Sequence, residues 1–125
     1  MKTGLTFDTG ALIALDRRSH TARLVLQRAR ERGVRVTVPT PVIAEWWRSR
    51  TDRRDQIVAS VHVEALTEAV AKLAGEALAA IRGSSVVDAI VMASASLRGD
   101  IVYTSDVADL ERLTSFFPGV RVLAI

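Results

Sequence analysis

Cysteine is absent from this chain, which removes disulfides, zinc-thiolate sites, iron-sulfur clusters and thiol nucleophiles from its possible chemistry. Histidine is almost as scarce. His20 and His62 lack the helical spacing of a ligand pair, so zinc, copper and haem sites are not expected. No apolar run approaches the length of a membrane span, and the opening MKTGLTFD sets a carboxylate where a signal peptide would carry its apolar stretch. We therefore expect a soluble, unprocessed, cytoplasmic protein with no membrane partner. Repeats, linkers and low-complexity segments are also missing, and 125 residues suit one domain that buries its core without staples.

What is present is charge, unevenly placed. Residues 1 to 54 hold twelve lysines and arginines against five acids, whereas residues 55 to 125 hold five against nine. Eleven of the early twelve are arginines, which pair bidentately with phosphate or carboxylate better than lysine does. A solvated helix face is the plain explanation; a phosphate-bearing or acidic partner is the other.

Four stretches rich in β-branched residues read as strands: LTF (5 to 7), VRVTV (34 to 38), IVY (101 to 103) and VRVLAI (120 to 125), with VHVEAL (61 to 66) a weaker fifth. Helical patterns lie between them. Such alternation predicts an α/β fold, a central parallel β-sheet of four or five strands with helices on both faces. Residues that follow parallel strands gather along one edge of the sheet, where ligands bind.

Four acids map to that edge. Asp8 follows the first strand, Asp106 closes the turn after IVY, Glu45 lies on a helix that starts after VRVTV with Thr40 as its expected cap, and Asp88 opens an apolar, alanine-rich helix. The tripeptide Asp8-Thr9-Gly10 also occurs in pepsin-like proteases, but those are nearly all β, and ALIALDRR reads as a helix. Asp8, Asp88 and Asp106 each have a modest explanation as a helix cap, in Ser85-Val-Val-Asp88 and Asp106-Val-Ala-Asp109 especially, and Glu45 as merely exposed. Together they repel and raise one another's pKa unless a cation sits among them. With oxygen donors only, Mg²⁺ or Mn²⁺ is the suitable ion; such ions work on phosphates, which directs attention to a nucleic acid backbone.

These residues resemble the PIN-domain ribonucleases, in particular the small VapC-type toxins of bacterial toxin-antitoxin pairs, over essentially the whole chain. The resemblance is carried by Asp8-Thr9 before ALIAL, by VIAEWW with Glu45, by VVDAIVMASA with Asp88, and by TSDVADL with Asp106 and Asp109. It implies a single PIN-like domain over residues 1 to 125 and hydrolysis of single-stranded RNA with Mg²⁺ or Mn²⁺. It also implies a homodimer and a VapB-type antitoxin that fills the acidic cleft. Asp8 and Asp88 would be the chief ligands, Glu45 and Asp106 would complete the site, and Asp109 would support it. A doubled tryptophan after the glutamate and a leucine in place of a final phenylalanine are the departures.

Beside these, Thr9, Thr104 and Ser105 carry hydroxyls able to orient a carboxylate or water, with turn and cap duties as the alternative. Arg48, Arg50, Arg53 and Arg54 follow Glu45 and are candidates for RNA phosphates. Trp46 and Trp47 point about 100° apart on a helix, so at most one lies fully in the core. Two other readings stay open: a receiver-like signalling module, although the last lysine is Lys72, and a PIN-like fold kept only for binding RNA or protein.

Overall fold

Each expected β-branched run forms a strand. The computed structural model describes residues 2–125, with β1 (Leu5–Phe7), β2 (Val36–Pro39), β3 (His62–Glu64), β4 (Ile101–Thr104) and β5 (Val122–Ala124) in one sheet. All neighbours pair in parallel, in the order β3-β2-β1-β4-β5. Helices α1 (Thr9–Asp16) and α2 (His20–Glu31) connect β1 to β2, and α3 (Thr40–Trp46) and α4 (Asp52–Ala59) connect β2 to β3. Helices α5 (Glu68–Ala80) and α6 (Val86–Arg98) then lead across to β4, and α7 (Val107–Glu111) with a 3₁₀ turn (Arg112–Ser115) leads to β5.

The order β3-β2-β1 runs outward on one side of β1, and β4-β5 on the other. Right-handed crossovers on an order that reverses this way place the two sets of helices on opposite faces. Helices α2, α3 and α4 accordingly pack on α1, and α5 packs on α6. A receiver of the flavodoxin-like type has the order 2-1-3-4-5 instead, so the topology overturns that reading. A parallel α/β sheet equally excludes the pepsin-like one.

Local chemistry explains the element ends. Ser19, Thr51, Thr67 and Ser85 each accept, through the side-chain oxygen, the N–H of the residue three further on, satisfying a first-turn donor of α2, α4, α5 and α6. Expected strand 34 to 38 begins two residues later, because Gly33 at φ 65° closes α2 and the Val34 N–H returns to the Ala29 carbonyl at 2.8 Å. Pro39 rather than Thr40 stands at the N-cap of α3. The Thr40 hydroxyl is used elsewhere, accepting the Leu66 N–H at 3.2 Å.

Helix α6 is the centre of the core: Ala89 through Ala95 are all buried, against β1, β2 and β4. Phe7, Leu12, Val38, Val42, Val91, Met92 and Val102 have no exposed surface. The other end of α6 is anchored by charge. Arg98 hydrogen-bonds Asp100 (2.9 Å), Thr6 (2.8 Å), Ser94 (2.6 Å) and Glu64, tying α6 to β1 and β3.

Candidate active site

Between β1 and β4 the direction of chain progression reverses, and the crevice beyond the carboxyl ends of such strands is the usual ligand site of an open α/β sheet. Asp8 follows β1 directly and Thr104 ends β4. They meet across this switch point: the Thr104 hydroxyl donates to Asp8 Oδ2 at 2.5 Å, while the Ala11 N–H donates to Oδ1 at 2.9 Å. Asp8 therefore caps α1, as the modest explanation held, and is locked in one orientation besides. Thr104 in turn accepts the Asp106 N–H at 2.9 Å, so one hydroxyl organises both acids' segments.

The remaining acids come in on helices. Glu45, exposed near the end of α3, accepts the Thr9 hydroxyl at 2.5 Å, which joins α3 to the start of α1. Asp88 sits half-buried in the first turn of α6, next to its cap Ser85, whose oxygen accepts the Asp88 N–H at 3.1 Å. Asp106 occupies the cap position of α7 but makes no capping bond with its side chain, so the cap explanation does not hold for it. Asp109 is exposed one turn later, 3.5 Å from Arg112. Ser105 packs against Gly10: a Cβ there would lie 2.1 Å from the serine oxygen, so only glycine lets the β4 turn close on α1.

Electrostatics record the crowding. Burial pushes the Asp8 carboxyl above its ordinary value, against the lowering by the Thr104 and Ala11 hydrogen bonds, and the charge of Asp106 adds to the rise. Burial likewise raises Asp88, opposed by the Ser85 hydroxyl and reinforced by Asp8, Asp109 and Glu45. Five acids from four separate stretches thus feel one another's field, and among the described residues Asp8, Glu45, Asp88 and Asp106 have no lysine or arginine partner. They are not drawn into a closed shell. Among the described residues, no three acids or histidines form a group that could hold a metal ion. The donor set suits Mg²⁺ or Mn²⁺ of the open kind, in which one or two carboxylates bind the ion and water completes its coordination.

The four candidate arginines separate. Arg50 pairs with Asp52 (3.0 Å) and Asp55 (2.8 Å), and Arg54 with Asp16 (2.9 Å). Arg53 lines a different cavity, with Arg23 and Gln56. Arg48 alone is both unpaired among the described residues and beside Glu45, in a cavity of about 350 Å³. Arg17, which the sequence reading passed over, lines the same cavity. Two larger cavities, each about 420 Å³, run along α2 and contain none of the four acids. Trp46 is buried and Trp47 half-buried, their rings edge to face at 5.9 Å, as the helical offset required. His20 and His62 are both exposed. No helix among the described residues is long and apolar enough to cross a membrane.

The chain matches no known family profile and no curated protein sequence. Solved structures do match over nearly its full length. A chain of the VapBC2 complex from Rickettsia felis, bound to a promoter DNA fragment, superposes with a TM-score of 0.79 at 11% identity, covering 97% of this chain and 98% of that one. A chain of DNA-bound VapBC from Salmonella typhimurium gives 0.78 at 16% identity, with 98% of each covered. A toxin-antitoxin complex from Klebsiella pneumoniae gives 0.69 at 16%, with 96% of each covered. At such identities the shared property is the fold.

Proposed function

We propose that this chain, as one PIN-like domain over residues 1–125, is a metal-dependent endoribonuclease and the toxin of a toxin-antitoxin pair. What supports the reading is that Asp8 and Asp106 follow the switch-point strands β1 and β4, that Asp8 feels the charge of Asp106 and Asp88 the charges of Asp8 and Glu45, and that none of the four pairs with a base among the described residues. The likeness of nearly the whole chain to VapBC and other toxin-antitoxin complexes supports the toxin role and, with it, an antitoxin partner of VapB type; a homodimer belongs to the same proposal.

In this reading Asp8 and Asp88 are the chief ligands of Mg²⁺ or Mn²⁺, with Glu45 and Asp106 completing the site. The ion, when bound, lowers the pKa of a water and neutralises charge that develops on the phosphoryl oxygens. The protein's part is orientation. Thr104 and the Ala11 N–H fix both oxygens of Asp8, and Thr9 fixes Glu45, so the carboxylates would receive the ion without reorganising. The net reaction is attack of water oxygen on phosphorus and cleavage of the P–O bond to a ribose oxygen, which leaves as an alcohol carrying the proton that the water gives up.

The deciding assay incubates purified protein with structured and unstructured RNAs in Mg²⁺, in Mn²⁺ and in chelator, beside Asp8→Asn. Cleavage by wild type with metal, lost in chelator and reduced about a hundredfold or more in the variant, is the expected result. Equal integrity of every RNA with both proteins under all conditions rejects the nuclease. It would leave the binding-only PIN-like domain.

A further inference from the structure

We propose that the cleft between the ends of α1 and α3 is a phosphate seat, in which Arg17 and Arg48 hold the backbone of single-stranded RNA next to the acid cluster. The inference rests on the nuclease reading and adds the path of the strand. A cluster of carboxylates repels a polyanion, so affinity must come from cations within reach of it. Most arginines near the acids are already engaged: Arg54 with Asp16, Arg50 with Asp52 and Asp55, and Arg112 with Asp109.

Arg17 and Arg48 differ. Both are exposed, both line the cavity that Glu45 lines, and neither makes an ion pair or a side-chain hydrogen bond among the described residues. Asp16 faces the same cavity but is neutralised by Arg54, and Glu45 is held by the Thr9 hydroxyl. Trp46 also lines the cavity and carries an unused donor beneath its surface. Trp46 is 4% exposed, and its indole N–H is buried with no acceptor, whereas buried polar groups are nearly always paired. Two guanidinium forks match phosphate oxygens in geometry as well as charge. A volume of about 350 Å³ lies within the range of small-ligand sites. A polymer with a phosphate at every residue reaches the acids and this seat at once, because Glu45 belongs to both.

The test follows fluorescence anisotropy of an end-labelled, mixed-sequence, single-stranded RNA in chelator over a salt series. The proteins are wild type, the double variant Arg17→Gln/Arg48→Gln, Arg50→Gln, and Arg121→Gln, an exposed residue just before β5 at the opposite sheet edge. We expect the double variant to bind about tenfold more weakly, with the slope of log affinity against log salt reduced by about 1.4, or about 0.7 for each phosphate contact removed. Arg50→Gln and Arg121→Gln should stay within about twofold of wild type. In Mn²⁺ the double variant's loss of cleavage should appear in KM more than in kcat. Wild-type affinity and slope in the double variant, or an equal loss in Arg121→Gln, overturns the seat. If wild type still cuts RNA and Asp8→Asn does not, the seat alone falls; if neither protein binds or cuts, both readings fall together.

Discussion

Asp100 and Asp8 are buried to the same extent, 6% exposed each, at the two ends of one sheet, yet they are satisfied in opposite ways. Asp100 receives the Arg98 guanidinium at 2.9 Å and the Thr6 hydroxyl at 2.8 Å, and the same arginine serves Glu64. Asp8 receives a hydroxyl and a backbone N–H but no cation, and the acids around it add to its burden. Breaking a buried ion pair leaves an uncompensated charge, while a buried carboxylate left without a cation is costly from the start. One region has its charge balanced by the fold. In the other, no lysine or arginine among the described residues balances Asp8.

The largest expected effect breaks the balanced region. Arg98→Met leaves Asp100 and Glu64 without their cation and should cost about 3 kcal/mol, the low end for a buried pair because Arg98 and Glu64 keep 22% and 25% of their side-chain surface. Urea denaturation measures it; a cost below about 1 kcal/mol would mark the network as peripheral. Next, Mn²⁺ at a hundred times the wild-type Kd should stabilise wild type by about 2.7 kcal/mol and Asp8→Asn by no more than about 1.4 kcal/mol, the value for tenfold weaker binding, read by thermal unfolding. Thr104→Val removes one hydroxyl that serves both Asp8 and the Asp106 N–H, for about 1–2 kcal/mol.

The smallest effect is in pH. Asp8 and Asp88 are raised above the ordinary value of 3.8, so between that value and their native ones the folded state holds more protons than the unfolded. Their contribution to stability is present below that ordinary value and is lost as pH rises through the native values. In metal-free protein, Asp8→Asn should therefore flatten part of this fall, in unfolding curves recorded across that window. An unchanged slope would mean that Asp8 ionises without penalty in the fold.

Much of this was legible in the sequence. The β1 run LTF stood between a helix pattern and the start of the chain, and its bounds match the strand residue for residue, because β-branched and aromatic residues in so short a run suit nothing else. The apolar helix around Asp88 was readable for the same reason: seven consecutive buried positions leave no polar face. The strand order was not readable, since short parallel strands of similar composition carry no mark of their neighbour. Pairings across long sequence separations also escaped. Nothing near Arg98 announces Glu64 and Thr6, and Arg17 lies far along the chain from the Arg48 run whose cleft it shares. That run looked uniform, yet Asp16, Asp52 and Asp55 divide it into engaged and unengaged members.

Calorimetric titration of Mn²⁺ into wild type, Asp8→Asn, Asp88→Asn and Asp100→Asn tests the contrast between the two regions most directly. Wild type should bind the ion, Asp8→Asn and Asp88→Asn should remain folded and bind it at least about tenfold more weakly, and folded Asp100→Asn should bind as wild type does. Absence of binding by folded wild type, or equal binding by all four proteins, would contradict the reading of the switch-point acids as a cation site.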